Sequence, residues 1–203
     1  MRDLIIIGAG GHGRVIADIA QRLGAYKTIS FLDDCEAKET MGLPIIGNTS
    51  DIEKYVHTAD IFVAIGNSSV RGEFIERLLA IGANVPTLVH PNAVIGACVE
   101  IGVGTAVMAG TVINPCSKLG KGVILNTCSS IDHDCTIGDY CHIAVGVHVA
   151  GTVSLGDKVW LGAGATIKNN VSICADCVIG AGAVVVKDVM EVGTYVGVPA
   201  KRK

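Results

Sequence analysis

His133 and Asp134 stand next to each other in Ile131-Asp132-His133-Asp134, and Cys141-His142 and Val147-His148 follow soon after. A carboxylate beside an imidazole fixes its tautomer and raises its basicity. The chain has a second chemical feature near its start. Gly8, Gly10 and Gly13 of Gly8-Ala9-Gly10-Gly11-His12-Gly13 satisfy G-x-G-x-x-G, and Asp33-Asp34 follow. Such a loop turns tightly, brings backbone close to a phosphate and aims helix N-terminal N–H groups at it. The first feature marks a histidine of raised basicity, and the second is a candidate for anion recognition.

The elements that must position them are of two kinds. Leu4 to Ile7 is an apolar run that ends at the glycine loop, and Val15, Ile16, Ile19 and Leu23 then recur at helical spacing. Thr28 to Leu32 reads as a second strand, closed by Asp33-Asp34. Asp60 to Ile65 reads as another, closed by Gly66-Asn67, with Phe74, Ile75, Leu78 and Leu79 as the stripe of a helix. Alternating strands and helices predict a small parallel sheet over residues 1–85. Ligands of open sheets bind beyond the carboxyl ends of the strands. The candidate ligand contacts are therefore Gly8, Gly10, Gly11, His12, Gly13, Asp33, Asp34, Ile65, Gly66 and Asn67. An NAD-binding fold is one reading, but about 85 residues hold a single mononucleotide-type half where a dinucleotide fold uses two. A nucleotide-linked ligand, with Asp33 or Asp34 accepting from a ribose or sugar hydroxyl, fits that size better. The plain alternative is that the glycines serve only helix–sheet packing.

From Ile95 to Val185 an aliphatic residue returns every sixth position without an insertion, as in Ile95, Ile101, Val107, Ile113 and Leu119. Four residues after each comes a small or branched one, such as Thr105, Ser117, Cys135 or Val147. A period of six fits neither a helix nor one long strand; it fits a parallel β-helix with three hexads to a triangular coil and about five coils. The frequent glycines just after the aliphatic, Gly102, Gly120 and Gly138 among them, are expected at corners where positive φ is cheap. Lys187 to Lys203 breaks the hexad and is expected to cap the open end. The solenoid with its cap accounts for residues 86–203.

Composition agrees with this division. The chain of 203 residues is 50% apolar but only 4% aromatic, as a narrow solenoid core requires. A net charge of −3 with no basic block excludes a nucleic-acid footprint. Of eight cysteines, Cys135, Cys141 and Cys177 occupy the small interior slot, where a thiol packs as a compact hydrophobe. Cys98, Cys116 and Cys128 sit one position earlier. A reduced, cytoplasmic setting follows from this usage, from the immediate start in a strand and from the lack of an 18-residue apolar span. The histidines lie outside the aliphatic slot. His133 takes the third hexad position, while His142 and His148 take the sixth. His133 and His142 are half a coil apart, so a compact zinc site with Asp134 is disfavoured. They meet only if prisms associate, and three prisms about a threefold axis would form such a shared cleft.

The uninterrupted hexads resemble the left-handed β-helix of the bacterial hexapeptide-repeat acyltransferases. The tail Gly193-x-Tyr195-x-Gly197-x-Pro199-Ala200-Lys201 is similar to an ending many of them share. The glycine loop followed by Phe31-Leu32-Asp33-Asp34 resembles one branch, the nucleotide-linked amino-sugar N-acetyltransferases of the bacillosamine type and the sialic acid O-acetyltransferase-like proteins. The resemblance implies a homotrimer with intersubunit active sites, acetyl-CoA as co-substrate, and an N-terminal domain that binds a nucleotide sugar rather than NAD. It implies that His133 is the general base and Asp134 the residue that orients it, in a place where many relatives carry Glu. Asn126 and His142 would line the cleft, and the Gly151 N–H would face the thioester carbonyl. Cofactor contacts are expected from His142, Gly151, Gly164 and Lys168, with no metal. The expected reaction is N-acetylation of a UDP-linked 4-amino-4,6-dideoxy sugar in bacterial glycan biosynthesis. GDP- or dTDP-linked amino sugars, O-acetylation of sialic acid and a non-enzymatic nucleotide-sugar binder are the alternatives.

Overall fold

A computed structural model describes all residues from Met1 to Lys203. The chain divides into two compact units, Met1–Pro91 and Asn92–Lys203. In the first unit, strands β1 (Arg2–Ile7), β2 (Tyr26–Leu32), β4 (Leu43–Gly47) and β5 (Ala59–Val63) form a parallel sheet, with β3 (Glu39–Thr40) antiparallel at one edge. The spatial order is β3-β4-β2-β1-β5. Leu4 to Ile7 are buried on both faces, as central strands of a covered parallel sheet must be. Helix α1 (Gly11–Leu23) follows β1, and α2 (Ser68–Ala80) follows β5.

Three details differ from the sequence expectation. Helix α1 buries Ile16, Ala17, Ile19 and Ala20, while Val15 and Leu23 stay exposed at 41% and 37%. Small alanines on the inner face let the helix approach the sheet, so the stripe centres on them rather than on every large aliphatic. The β3–β4 hairpin and a short 3-10 helix (Thr49–Tyr55) fill a stretch with no clear periodicity. The first unit ends at Pro91 rather than at residue 85. Val85, Leu88 and His90 are buried, and Leu88–Val89 packs against α1.

The second unit is a three-faced parallel β-helix of two-residue strands. One face stacks Val94–Ile95, Val112–Ile113, Ser130–Ile131, His148–Val149, Thr166–Ile167 and Val184–Val185. A second stacks Glu100–Ile101 through Ser172–Ile173, and the third carries Ala106–Val107, Ile124–Leu125, His142–Ile143, Trp160–Leu161 and Val178–Ile179. From Val107 to Val185 the aliphatic of each hexad is buried, with Val107, Ile113, Leu125, Ile131 and Ile143 fully so, while Ile95 in the first coil is exposed. In the second interior slot Thr105, Thr111 and Ser117 satisfy their hydroxyls on the backbone, while the buried Ser129 hydroxyl has no partner. Thr105 Oγ1 donates to Gly120 O at 3.1 Å, and Ser117 Oγ to Asp132 O at 2.7 Å. At the open end Val189 is buried and bridges to Ile173, while Thr194–Val196 continues the third face.

The glycines after the aliphatics serve a purpose other than the expected one. Left-handed backbone falls at the fourth hexad position, where Cys98, Cys116, Cys128, Asp134, Tyr140 and Asn170 have φ between 56° and 64°. Gly102, Gly120 and Gly138 sit at the second position and have no positive φ. They are glycine because the next coil lies against them. A Cβ on Gly138 would stand 2.6 Å from Asp157 N and from Gly156 C. Gly138→Ala is therefore expected to overpack the corner and cost about 1–3 kcal/mol. Thermal unfolding should show a clear fall in Tm, whereas Val145→Ala, at an exposed position, should change it little.

Candidate active site

In the first unit the glycine loop connects β1 to α1, and its glycines divide by role. Gly8 has φ of 99°, a conformation that favours glycine, and a Cβ on Gly13 would collide with the Gly8 carbonyl oxygen. These two are required by the fold. A Cβ on Gly10 or Gly11 would meet nothing within 4 Å, and both residues are exposed. Packing does not demand glycine there, so bare backbone at the start of α1 is left open to an anion. Packing alone thus explains half of the motif.

The carboxylates behind the loop brace it. Asp33 Oδ2 accepts from Ala9 N–H at 2.6 Å and Asp33 Oδ1 from Cys35 N–H at 2.9 Å. Partial burial pushes the Asp33 carboxyl up, but the bonds from Ala9 and Cys35 outweigh it and hold it below the ordinary range. Asp34 holds Thr49, through its N–H at 2.9 Å and its hydroxyl. Asn67, expected to touch ligand, is the N-cap of α2 and accepts from Val70 N–H at 3.0 Å. The carbonyls of Ile65 and Gly66 accept from Arg71 Nη1 at 2.9 and 2.8 Å. Arg71 is only 1% exposed, and sequence reasoning passed it over. His12 lies half-buried in the first turn of α1.

In the second unit one corner gathers the chemistry. His133 Nδ1 lies 2.7 Å from Asp134 Oδ2. A carboxylate only accepts, so Nδ1 carries the hydrogen and Nε2 holds the lone pair of the neutral ring. The short Asp134 side chain thus reaches the ring of its neighbour in the chain. Asp134 can turn toward the ring because its backbone is left-handed, with φ of 57°, and its N–H donates to Pro115 O at 3.2 Å. The hydrogen bond to Asp134, then the charge of Asp132, raises the His133 pKa above its usual value. The ring lies over Gly151, one coil further on. A Cβ there would stand 2.7 Å from Nε2, so only glycine admits the ring. The Gly151 amide lies outside the ladder, whose neighbouring bonds run from Ala150 N to Ile167 O and from Thr152 N to His133 O. The imidazole thus lies against the Cα of a residue whose amide is outside the ladder.

The other expected residues lie elsewhere on the prism. His142 is half-buried on the third face and stacks on Trp160, with ring centroids 6.1 Å apart. Asn126 sits at the following corner and accepts from Thr127 N–H at 2.8 Å through Oδ1. Gly164 and Lys168 are exposed in later coils, Gly164 with φ of 68°. Cys135 is buried and its thiol is pushed up by that burial, which removes it as a nucleophile. Burial first, then contact with Cys174 at 3.4 Å, pushes the Cys177 thiol to about 11. No group of three or more His, Cys, Asp or Glu side chains is arranged to hold a metal. Two residues at the His133 corner escaped sequence reasoning, Asp132 with Asn114, although their eighteen-residue separation is the coil period.

Comparison with known proteins places the chain. Residues 3–78 match the PglD N-terminal domain family, and residues 152–187 match the bacterial transferase hexapeptide family (six repeats). A UDP-N-acetylbacillosamine N-acetyltransferase of Bacillus subtilis (strain 168) is 32% identical over 54% of this chain, and the match spans about half (52%) of that protein. A GDP-perosamine N-acetyltransferase of Escherichia coli O157:H7 is 32% identical over 73% of this chain and 70% of its own length. Among solved structures, the acetyltransferase domain of PglB from Neisseria gonorrhoeae FA1090, in complex with acetyl coenzyme A, is 39% identical. It covers 100% of this chain and 99% of that chain, with a TM-score of 0.97. These likenesses bear out the expected α/β domain followed by a left-handed parallel β-helix. With the glycine loop and the His133–Asp134 corner both in place, the chain belongs to the bacterial hexapeptide-repeat acetyltransferases that carry a PglD N-terminal domain.

Proposed function

We propose that the protein transfers the acetyl group of acetyl-CoA to the amine of a nucleotide-linked amino sugar. The observation that carries this is the His133 corner, where Nδ1 is committed to Asp134, Nε2 is left as the basic nitrogen, and the ring lies against Gly151. His133 Nε2 takes the proton as the sugar nitrogen attacks the thioester carbonyl. The Gly151 N–H donates to the oxygen as it gains negative charge, a stabilisation realised in the transition state. Collapse of the tetrahedral intermediate breaks the C–S bond, and the imidazolium returns its proton to the departing thiolate. Direct transfer needs no acyl-enzyme.

The open backbone of Gly10 and Gly11, with His12 and the braced Asp33–Asp34 turn, would bind the nucleotide and sugar. Gly8 and Gly13 shape that loop, and the strand end at Ile65, Gly66 and Asn67 forms its neighbouring wall. The likeness to a UDP-N-acetylbacillosamine N-acetyltransferase supports a UDP-linked amino sugar, our expected 4-amino-4,6-dideoxy sugar, and the likeness to a GDP-perosamine N-acetyltransferase supports a GDP-linked one. We further propose a cytoplasmic homotrimer in which His142 and Asn126 of one copy face His133 of another, with Gly164 and Lys168 along the acetyl-CoA groove. Residues 1–85, with the segment up to Pro91, would act as the acceptor domain and the solenoid as the transfer domain.

Thiol release from acetyl-CoA should be measured with UDP-, GDP- and dTDP-linked 4-amino sugars and with free sialic acid. Turnover of the nucleotide amino sugars supports the proposal; turnover of sialic acid alone overturns it in favour of O-acetylation. His133→Ala should lower kcat by about 10²–10⁴ while acetyl-CoA still binds, and a near-normal kcat would remove His133 as the base. The pH dependence has a definite sign. Catalysis needs the neutral ring and the folded pKa is raised, so kcat should fall as pH drops through a value above the ordinary ~6.5. Asp134→Asn should lower kcat and move that acid limb to lower pH.

Gly10→Val tests the first unit separately. It should weaken binding of the nucleotide sugar, read by calorimetry, and leave both Tm and acetyl-CoA affinity unchanged. A matching loss of Tm would assign Gly10 to the fold.

A further inference from the structure

Asp132 is not needed as a charge by the backbone it serves. Its Oδ1 accepts from the His133 N–H at 2.8 Å, and from Asn114 Nδ2 at 2.8 Å. The N–H at the third hexad position stands outside the ladder, so a side chain at the second position is well placed to take it. Another corner of the same solenoid shows what that task requires. Asn126 Oδ1 accepts from Thr127 N–H, at 2.8 Å, in the same hexad positions. A neutral amide therefore suffices where the third residue is a threonine. Where the third residue is His133, the chain carries a carboxylate instead.

The surroundings of Asp132 keep that carboxylate charged and fixed. The bond from Asn114, then that from His133 N–H, holds its carboxyl below the usual range. From below, the buried Ser117 hydroxyl donates to the Asp132 carbonyl at 2.7 Å and accepts from Cys135 N–H at 3.1 Å. The residue is thus held on main chain and side chain by the preceding coil, through Asn114 and Ser117. The titratable groups that bear on the His133 ring are Asp134, at Nδ1, and Asp132, beneath its main chain; the neighbour on the Nε2 side is Gly151, which carries no ionisable group. Further off in register lie Cys116, one coil before Asp134, and Lys168, two coils beyond Asp132. His148 is engaged with Ser130, Nδ1 to Oγ at 2.8 Å, on the adjoining strand face.

We propose that Asp132 is a second positioning carboxylate of the transfer site, anchoring the His133 main chain and stabilising the charge the ring gains when it takes the acceptor's proton. The role rests on the acetyl-transfer reading above. It divides the work between two neighbours: Asp134 sets the tautomer, and Asp132 sets where the ring stands and how readily it holds a proton. Neither touches the reacting atoms. Asn114 belongs to the same device, because it pins the carboxylate from the coil before.

The test separates charge from hydrogen bonding. Asp132→Asn keeps an acceptor for the His133 N–H, as Asn126 does for Thr127, and removes only the charge. Asp132→Ala removes both. The His133 ring is titrated by NMR in the full-length protein, with His133→Asn assigning its signal, and kcat and KM are measured alongside. Asp132→Asn should lower the His133 midpoint by on the order of 0.5 pH unit, shift the acid limb of kcat with it, and leave Tm and the KM for acetyl-CoA near wild type. Asp132→Ala should lower kcat further, about tenfold or more below Asp132→Asn. An unchanged midpoint in Asp132→Asn, or a loss confined to Tm in both variants, overturns the proposal and leaves Asp132 a structural residue. A shifted midpoint in a wild-type background that transfers acetyl to no amino sugar would instead strike the N-acetyltransferase reading, since the titration does not depend on turnover.

Discussion

Each coil of the solenoid advances by one strand spacing, about 4.8 Å, and every residue stands beside the one eighteen positions away. That register governs what can exist at a corner. A bulky side chain at one level must find a gap at the next, and an acceptor at one level must find a donor. Gly151 is the gap that lets the His133 ring lie flat against the following coil, and Asn114 is the donor that fixes Asp132 from the preceding one. The same stacking forbids a Cβ on Gly102, Gly120 or Gly138. A catalytic corner in this architecture is therefore a vertical arrangement of three coils. It reads as a cluster only when the sequence is wrapped at eighteen.

This explains why the solenoid carries its site with few loops. Hydrogen bonds between coils and inward aliphatics make each face rigid, so an outward side chain inherits a fixed place from its hexad position. His133 gains its orientation from Asp134, whose left-handed backbone turns the carboxylate toward the ring. A left-handed residue at that position is already part of every corner, and Asp tolerates it better than most. The repeat thus supplies a strained backbone position that the His133–Asp134 pair uses without further cost. Preorganisation of this kind is where an enzyme gains most, because the dipoles need not move as charge develops.

The aliphatic ladder, the two-unit division and the His133–Asp134 pair were legible in the sequence because each depends on neighbours in the chain or on a strict period. The glycines were legible as important but not in their role. Positive φ and close approach both favour glycine, and only the coil stacking shows that the second position needs the latter and the fourth the former. Asp33, Asp34 and Asn67 were read as ligand contacts, since acidic and amide groups at strand ends serve that purpose in open sheets. The structure shows them first as braces for Ala9, Cys35, Thr49 and Val70. Arg71 was illegible, because a fully buried cation serving two carbonyls leaves no pattern in a helix.

Braces and ligand contacts are not exclusive, and the glycine loop shows how they combine. A carboxylate held by Ala9 N–H fixes the loop at the point where β1 ends. That fixity leaves Gly10 and Gly11 with open backbone in one conformation before any ligand arrives. Binding then does not have to order the loop, an entropy cost that falls on every flexible phosphate site. The His133 corner follows the same logic with different chemistry, since Asp132, Asp134 and Gly151 fix where the ring stands. In both units the polar side chains around the candidate sites are spent on the protein's own groups, and what is left open is main chain and one imidazole nitrogen. Specificity for an acceptor must then come from shape and from the handle it carries, which fits a domain whose exposed feature is an anion-ready helix start.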